Sequence, residues 1–83
     1  MLKILLIDDH SIITTGLWLI LNKEYPGSKI DVANTGESAF SFIKSENYDL
    51  VTLDLNMPDV DTTNILSQIK IRNENSKVLI FDK

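Results

Sequence analysis

The residues best able to do chemistry in this chain are acidic, and they lie in two short segments. Asp8 and Asp9 follow the apolar run Leu5–Ile7, and Asp54 follows the run Leu50–Leu53. Carboxylates that are brought together repel each other unless a cation joins them, and a small, hard divalent ion such as Mg²⁺ takes oxygen ligands. The pattern therefore predicts a magnesium site in which one aspartate is placed to accept a phosphoryl group.

Buried parallel strands must position these carboxylates. A buried parallel strand reads as a continuous apolar run, and ligand sites in open α/β sheets lie at the carboxyl ends of the strands. Helical periodicity and turn residues separate four predicted strands along the chain, and the second of them alternates polar and apolar residues, as an edge strand does. The order βαβαβαβ predicts an α/β fold with a doubly wound parallel sheet and right-handed crossovers. The predicted strands cover residues 2–8, 29–33, 48–53 and 76–81.

Three helices are predicted between the strands, each with an apolar face toward the sheet. In the first helix, Ser11 is the expected N-cap and Thr14 is expected on the outward or boundary side. The residues expected to face inward are Ile13, Gly16, Leu17, Ile20 and Leu21 in the first helix, Ala39, Phe40 and Ile43 in the second, and Ile65, Leu66 and Ile69 in the third.

Composition limits the classes of function open to this chain. Its 83 residues suffice for one domain and not for two. A net charge of −4 argues against nonspecific binding to nucleic acids or membranes, whose surfaces attract basic patches. The absence of cysteine excludes disulfides and thiolate metal sites, and it fits a reducing cytoplasm. Charge at Asp8 comes too early for a signal peptide, and no apolar run approaches the ~20 residues of a membrane helix.

The two acidic segments together resemble a known family. Asp8-Asp9-His10, followed later by Asp54 and the stretch Asn56-Met57-Pro58-Asp59, is similar to the receiver domain of bacterial two-component response regulators. Both segments are most similar to the subfamily that carries a LuxR-type helix-turn-helix output domain. The resemblance covers the whole chain. It implies a flavodoxin-like (CheY-like) doubly wound sheet with strand order 2-1-3-4, truncated after the fourth strand.

The resemblance also implies roles for individual positions. Asp54 matches the aspartate that takes a phosphoryl group from a phosphohistidine on a sensor histidine kinase. Asp9 and Asp54 match side chains that bind Mg²⁺ directly, and Asp8 matches one that acts through water. Asn56 matches the position whose backbone carbonyl completes the metal shell. The chain is then a cytoplasmic phosphoacceptor and not an enzyme, with Mg²⁺-dependent self-phosphorylation as its only expected reaction.

Several features depart from the family's pattern. Asp82 stands where the family has a Ser or Thr that hydrogen-bonds the phosphate, so its carboxylate would either repel phosphoryl oxygens or add a metal ligand. Thr62 stands where the family usually has glycine. The family's fourth helix, fifth strand and fifth helix have no counterpart, and Lys83 is not assumed to replace the lysine of that fifth strand. We therefore expect residues 1–83 to be a receiver domain that is incomplete at its C-terminus, and its ability to switch is an open question.

The fourth strand is expected to lie at an edge of the sheet. Its residues Val78–Phe81 are strongly apolar, and the absent helices would leave more apolar surface near the first, third and fourth strands. An unpaired strand edge and a large apolar patch both favour association with another chain. We expect a homo-oligomer joined through the fourth strand or the uncovered sheet faces.

Alternative interpretations exist for the site and for the function. Asp8, Asp9 and Asp54 could be solvated loop residues, and His10 is expected in the turn into the first helix, with a ligand or a catalytic base as the alternative. The chain could also be a non-signalling receiver fragment that acts only as an oligomerising or interaction module. A phosphatase of the haloacid-dehalogenase type is a third hypothesis, which is weakened because that family has a second aspartate at the position of Asn56.

Overall fold

The structure, a computed structural model, describes residues 1–82, and Lys83 lies outside the described residues. Four strands form a single parallel sheet in the order β2-β1-β3-β4. The predicted fold class, element order and strand order are therefore confirmed. Along the chain, the elements are β1 (Lys3–Ile7), α1 (Ser11–Glu24), β2 (Lys29–Ala33), α2 (Gly36–Ser45), β3 (Leu50–Asp54), α3 (Thr62–Arg72) and β4 (Lys77–Phe81).

The two central strands, β1 and β3, are buried on both faces because each is flanked by strands and covered by helices. Their alternating side chains divide the core into two parts. Leu5 and Ile7 join the cluster that also holds residues of α2 and α3, whereas Ile4 and Leu6 are equally buried but lie outside that cluster. A strand that is covered on both faces carries mostly apolar residues, which explains the nearly continuous apolar runs in the sequence.

Helices α2 and α3 pack against each other over one face of the sheet, and the predicted inward residues of both helices are buried or half-buried. Helix α2 begins with a capping box in which the Thr35 hydroxyl accepts a hydrogen bond from the Ser38 amide. Helix α3 begins after Asp61, whose carboxylate accepts hydrogen bonds from the Thr63 hydroxyl and amide. These hydrogen bonds lower the pKa of Asp61, since they stabilise its charged form.

The predictions for α1 were wrong in two respects. Its N-cap is His10 and not Ser11, and the His10 side chain makes no capping hydrogen bond. Its buried residue is Thr14, whereas Ile13 and Ile20 are 37% and 60% exposed. Helix α1 packs on β1 and β2, so its apolar stripe extends beyond the sheet surface that it covers and forms an open groove with Phe81. Within residues 1–82, no helix combines the length and the hydropathy that a membrane span requires.

The amino end of the sheet is held by charged side chains. Glu46, just after α2, accepts hydrogen bonds from the ammonium groups of Lys3 at 2.8 Å and Lys29 at 2.9 Å. Asp49 accepts a hydrogen bond from the backbone amide of Lys3 at 2.8 Å. These contacts tie β1, β2 and the turn before β3 together at the edge opposite the acidic residues.

Candidate metal centre

The register of the sheet brings the two acidic segments together. Strands β1 and β3 are parallel neighbours, with Ile7 opposite Leu53. Asp8 follows the first of these residues and Asp54 follows the second, so both aspartates lie at the carboxyl edge of adjacent strands. Both are almost completely buried, with exposed fractions of 2% for Asp8 and 0% for Asp54.

The side chains of Asp8, Asp9 and Asp54, which we call the acidic cluster, converge on one point. One ligand atom from each, together with one ring nitrogen of His10, lies within 4.8 Å of all the others. Asp9 is the exposed member and Asp54 the deepest, so the cluster opens to solvent on one side. Three carboxylates at this separation repel one another, and a bound cation would offset that repulsion.

Backbone hydrogen bonds hold the buried carboxylates in place. Oδ1 of Asp8 accepts a hydrogen bond from the His10 amide at 2.9 Å, and the Asp8 amide donates to the carbonyl of Ala33 at the end of β2. Oδ1 of Asp54 accepts a hydrogen bond from the Asn56 amide at 2.9 Å. Each carboxylate is therefore oriented by the turn that follows it, which fixes the direction of its second oxygen.

His10 inserts its imidazole into the acidic cluster. Its Nδ1 lies 2.9 Å from Oδ1 of Asp8, 3.0 Å from Oδ1 of Asp9 and 3.8 Å from Oδ2 of Asp54. The expectation that His10 belongs to the turn into the first helix describes its backbone correctly. The spacing of residues along the chain did not show that its ring also contacts the carboxylates.

Asn56 and Asp82 lie at the rim of the site. The Asn56 side-chain amide donates a hydrogen bond to Oδ1 of Asp82 at 3.2 Å. Asp82 reaches this position because Asp54 is opposite Phe81 in the sheet, and the Leu55 amide donates to the Phe81 carbonyl. The predicted site residues are thus gathered at one edge, and their roles in metal binding and phosphoryl transfer stay predictions.

The loop between β3 and α3 is held by two hydrogen bonds, one to the start of α2 and one between its own two ends. The Asp59 carboxylate accepts a hydrogen bond from the Gly36 amide at the start of α2, at 2.9 Å. The hydroxyl of Thr62, which is buried, donates to the Leu55 carbonyl at 3.3 Å. Met57 is buried in the core. Sequence reasoning assigned no role to Asp59, and no local signal could have done so, because the helix that it contacts begins 23 residues earlier in the chain.

The donor set of the acidic cluster fits a hard divalent cation. It offers carboxylate oxygens, which are the ligands that Mg²⁺ and Ca²⁺ prefer, and one side open to water or to a phosphoryl group. Asp54 is the most deeply buried of the three carboxylates and lies on a strand end, where its position is fixed by the sheet. The arrangement can therefore hold a cation beside a fixed nucleophilic carboxylate, which is the requirement for metal-assisted phosphoryl transfer to an aspartate.

Comparison with known proteins shows which family this chain resembles. The family described as the response regulator receiver domain matches residues 4–82. The transcriptional regulatory protein PmrA of Pectobacterium parmentieri is 38% identical over 80 residues, which are 96% of this chain and 35% of that protein. The sporulation initiation phosphotransferase F of Bacillus subtilis is 37% identical over 79 residues, which are 95% of this chain and 62% of that protein.

Among solved structures, the response regulator protein TrrA of Thermotoga maritima, in complex with Mg²⁺-BeF, superposes with a TM-score of 0.83 and 34% identity. The superposition covers 99% of this chain and 70% of that chain. This chain spans about a third of the length of PmrA, of which it covers 35%. The similarity to PmrA therefore concerns only part of the length of that regulator.

Proposed function

The chain belongs to the response regulator receiver domain family, and from this premise we propose that Asp54 accepts a phosphoryl group from a phosphohistidine on a sensor histidine kinase. The observation that carries the proposal is the convergence of Asp8, Asp9 and Asp54 within 4.8 Å at the carboxyl edge of the sheet. Asp54 is the fully buried member of the cluster, and the backbone amide of Asn56 orients its carboxylate by a hydrogen bond.

The transfer uses an Asp54 carboxylate oxygen as the nucleophile. The oxygen forms a bond to phosphorus as the bond between phosphorus and the donor's histidine nitrogen breaks, and that nitrogen leaves with the electron pair. The Asn56 amide holds Oδ1 of Asp54, so the carboxylate does not have to reorient during the transfer. The protein is a phosphoacceptor and not an enzyme that turns over a substrate.

We propose Mg²⁺ as the cofactor, held directly by the side chains of Asp9 and Asp54 and by the backbone carbonyl of Asn56, with Asp8 acting through water. When bound, the ion neutralises the crowded carboxylates and the charge that develops on the phosphoryl oxygens. The related protein TrrA, at 34% identity, was solved with Mg²⁺-BeF, which supports this choice of ion. Asp8 and Asp54 contribute charge from a buried position, where electrostatic attraction is least screened by solvent.

Phosphorylation with a small donor tests this function. The 83-residue protein is incubated with acetyl phosphate and Mg²⁺, and the intact mass is measured. We expect the intact mass to increase by one phosphoryl group, and after digestion we expect the increase on a peptide that contains Asp54. We expect no increase without Mg²⁺ or in the Asp54→Asn variant. The proposal fails if the wild type gains no mass, or if the variant gains it equally.

We further propose that residues 1–83 form one receiver domain located in the cytoplasm, since membership of this family supports both statements. The partner that follows from the family is a sensor histidine kinase. No direct binding of nucleic acid is proposed for this chain, whose net charge is −4. The family match also favours a receiver over a phosphatase of the haloacid-dehalogenase type.

A second candidate function is that of an interaction module that assembles without signalling. Strand β4 lies at one end of the described sheet, and Leu79, Ile80 and Phe81 are 54%, 48% and 36% exposed. Its outer backbone groups can pair with another strand, and its exposed side chains would be buried by doing so. We propose a homo-oligomer that forms through β4 or through the open sheet faces beside it.

Sedimentation velocity over a range of protein concentrations tests the assembly. We expect a dimer or larger species, and we expect a Leu79→Lys substitution to shift it toward monomer because it places a charge on the exposed strand. A folded wild-type monomer at all concentrations would contradict the assembly. Oligomers that gain no phosphoryl mass with acetyl phosphate would favour the module over the signalling receiver.

A further inference from the structure

His10 is the only histidine in the chain, and its ring is directed into the acidic cluster instead of capping the helix that it precedes. Ser, Thr, Asp and Asn are the residues preferred at an N-cap because their side chains accept hydrogen bonds from the first helical amides. His10 stands at that position and makes no such bond. Its backbone is nevertheless fixed, since the His10 amide donates to Oδ1 of Asp8 at 2.9 Å.

The position of Nδ1 matches that of a ligand to a shared ion. Nδ1 lies 2.9 Å from an oxygen of Asp8, 3.0 Å from an oxygen of Asp9 and 3.8 Å from an oxygen of Asp54. Two ligands that are each about 2.1 Å from a metal and at right angles to each other are about 3 Å apart. A cation at the centre of the acidic cluster therefore has an imidazole nitrogen within reach as well as three carboxylates.

We propose that His10 supplies a nitrogen ligand to this ion, so that the site binds borderline divalent ions such as Co²⁺ and Zn²⁺ more tightly than Mg²⁺. This inference rests on the proposed function, because it assumes that the acidic cluster holds a divalent ion. Imidazole is a preferred ligand of Co²⁺ and Zn²⁺, whereas Mg²⁺ favours oxygen and retains water. His10 would then determine metal selectivity and not the phosphoryl transfer itself.

Ligation requires little movement of the protein. The His10 side chain is 57% exposed, so the ring can adjust its rotation while the backbone stays anchored to Asp8. A neutral ring that carries its proton on Nε2 presents the Nδ1 lone pair to the ion. The competing description is that Nδ1–H only donates hydrogen bonds to the carboxylates and is displaced when an ion enters.

Calorimetric titrations of the untagged 83-residue protein with Mg²⁺ and with Co²⁺, at one fixed neutral pH, distinguish the two descriptions. We expect His10→Ala to weaken Co²⁺ binding by at least about tenfold and to leave the Mg²⁺ affinity unchanged. His10→Asn is a second variant that retains a polar side chain but lacks the imidazole nitrogen, and we expect it to weaken Co²⁺ binding as His10→Ala does. Equal changes for both ions, or tighter binding of both in the variants, would overturn the proposal.

Imidazole nitrogen signals provide a readout that needs no variant. Because the chain has one histidine, both imidazole nitrogen signals belong to His10. On titration with the diamagnetic ion Zn²⁺, we expect the Nδ1 signal to shift strongly and Nε2 to remain protonated, and a Nδ1 signal that does not respond would contradict ligation. If neither Mg²⁺ nor Co²⁺ binds the wild type, the proposed metal site fails as well. If both ions bind, and the ratio of the Co²⁺ affinity to the Mg²⁺ affinity is the same in the wild type and in the His10 variants, only this inference fails.

Discussion

The side-chain amide of Asn56 donates a hydrogen bond to Oδ1 of Asp82 across 3.2 Å, and so joins the loop after β3 to the end of β4. This contact holds a carboxylate at the rim of the candidate site, on the strand next to the one that carries Asp54. A phosphoryl group on Asp54 brings about two negative charges to this edge of the sheet. Asp82 is therefore placed to oppose the modification that the rest of the site favours.

Removing the charge of Asp82 should accelerate phosphorylation of Asp54. We expect Asp82→Asn and Asp82→Thr each to raise the rate with acetyl phosphate by about fivefold, which corresponds to ~1 kcal/mol between charges in a solvent-exposed setting. The rate is measured from intact mass against time. Glu74→Gln removes the same charge from the turn before β4, at the opposite edge of the sheet, and should leave the rate unchanged. Slower phosphorylation in both Asp82 variants would indicate that Asp82 assists the site instead.

Two glycines should respond in opposite directions to substitution by alanine. A Cβ at Gly36 would lie 2.5 Å from Cβ of Val60, whereas a Cβ at Gly16 meets nothing within 4 Å. We expect Gly36→Ala to lower the free energy of unfolding by ~1–3 kcal/mol, because α2 and the loop carrying Val60 must separate. Gly16→Ala should raise it by ~0.5–1 kcal/mol, since alanine is the better residue inside a helix. Urea unfolding measures both, and equal effects would contradict the close approach at Gly36.

The charged contacts around Glu46 should contribute to stability in a defined pH range. Hydrogen bonds from Lys3 and Lys29, and the charges of these lysines, lower the pKa of Glu46 to about 2 from its ordinary value of 4.5. A folded-state pKa below the unfolded value stabilises the fold above the unfolded pKa, and the contribution is lost as the pH falls toward the folded value. The stability difference between wild type and Glu46→Gln should thus be constant near neutral pH and decrease between pH 4.5 and about 2.

Urea midpoints measured for both proteins across this pH range provide the test for Glu46. The Glu74→Gln variant serves as the control, because Glu74 is exposed and makes no ion pair within residues 1–82. A difference between wild type and Glu46→Gln that stays the same down to the lowest pH would contradict the role of the two lysines.

The buried face of α3 should be far more sensitive to truncation than its outer face. Ile65 is fully buried in the core, and Ile71 on the same helix is 75% exposed. We expect Ile65→Ala to cost ~2–5 kcal/mol, because it removes packed methylene groups and leaves a cavity. Ile71→Ala is the matched control and should change the unfolding free energy by less than ~0.5 kcal/mol. Similar losses in both variants would show that the outer face of α3 is also covered.

Much of the fold was accessible from the sequence because its two central strands are buried on both faces. Continuous apolar runs ending in carboxylates located β1 and β3, and the alternation of strands and helices led to a parallel sheet, which the structure confirms. The orientation of α1 was not accessible in the same way. Its apolar stripe predicted that Ile13 and Ile20 face inward, but only part of that stripe lies over the sheet, and Thr14 is the buried residue.

The candidate site was likewise predictable from the sequence only in part. Apolar runs and the carboxylates that end them are local properties of the chain, so they were enough to predict that Asp8 and Asp54 end two buried strands. Three contacts could be seen only in the folded protein: the ring of His10 enters the acidic cluster, Asp59 holds the start of α2, and Asn56 reaches Asp82. Those contacts depend on strand register and on the rotation of side chains in turns, and both are set by packing between elements that are distant in the sequence.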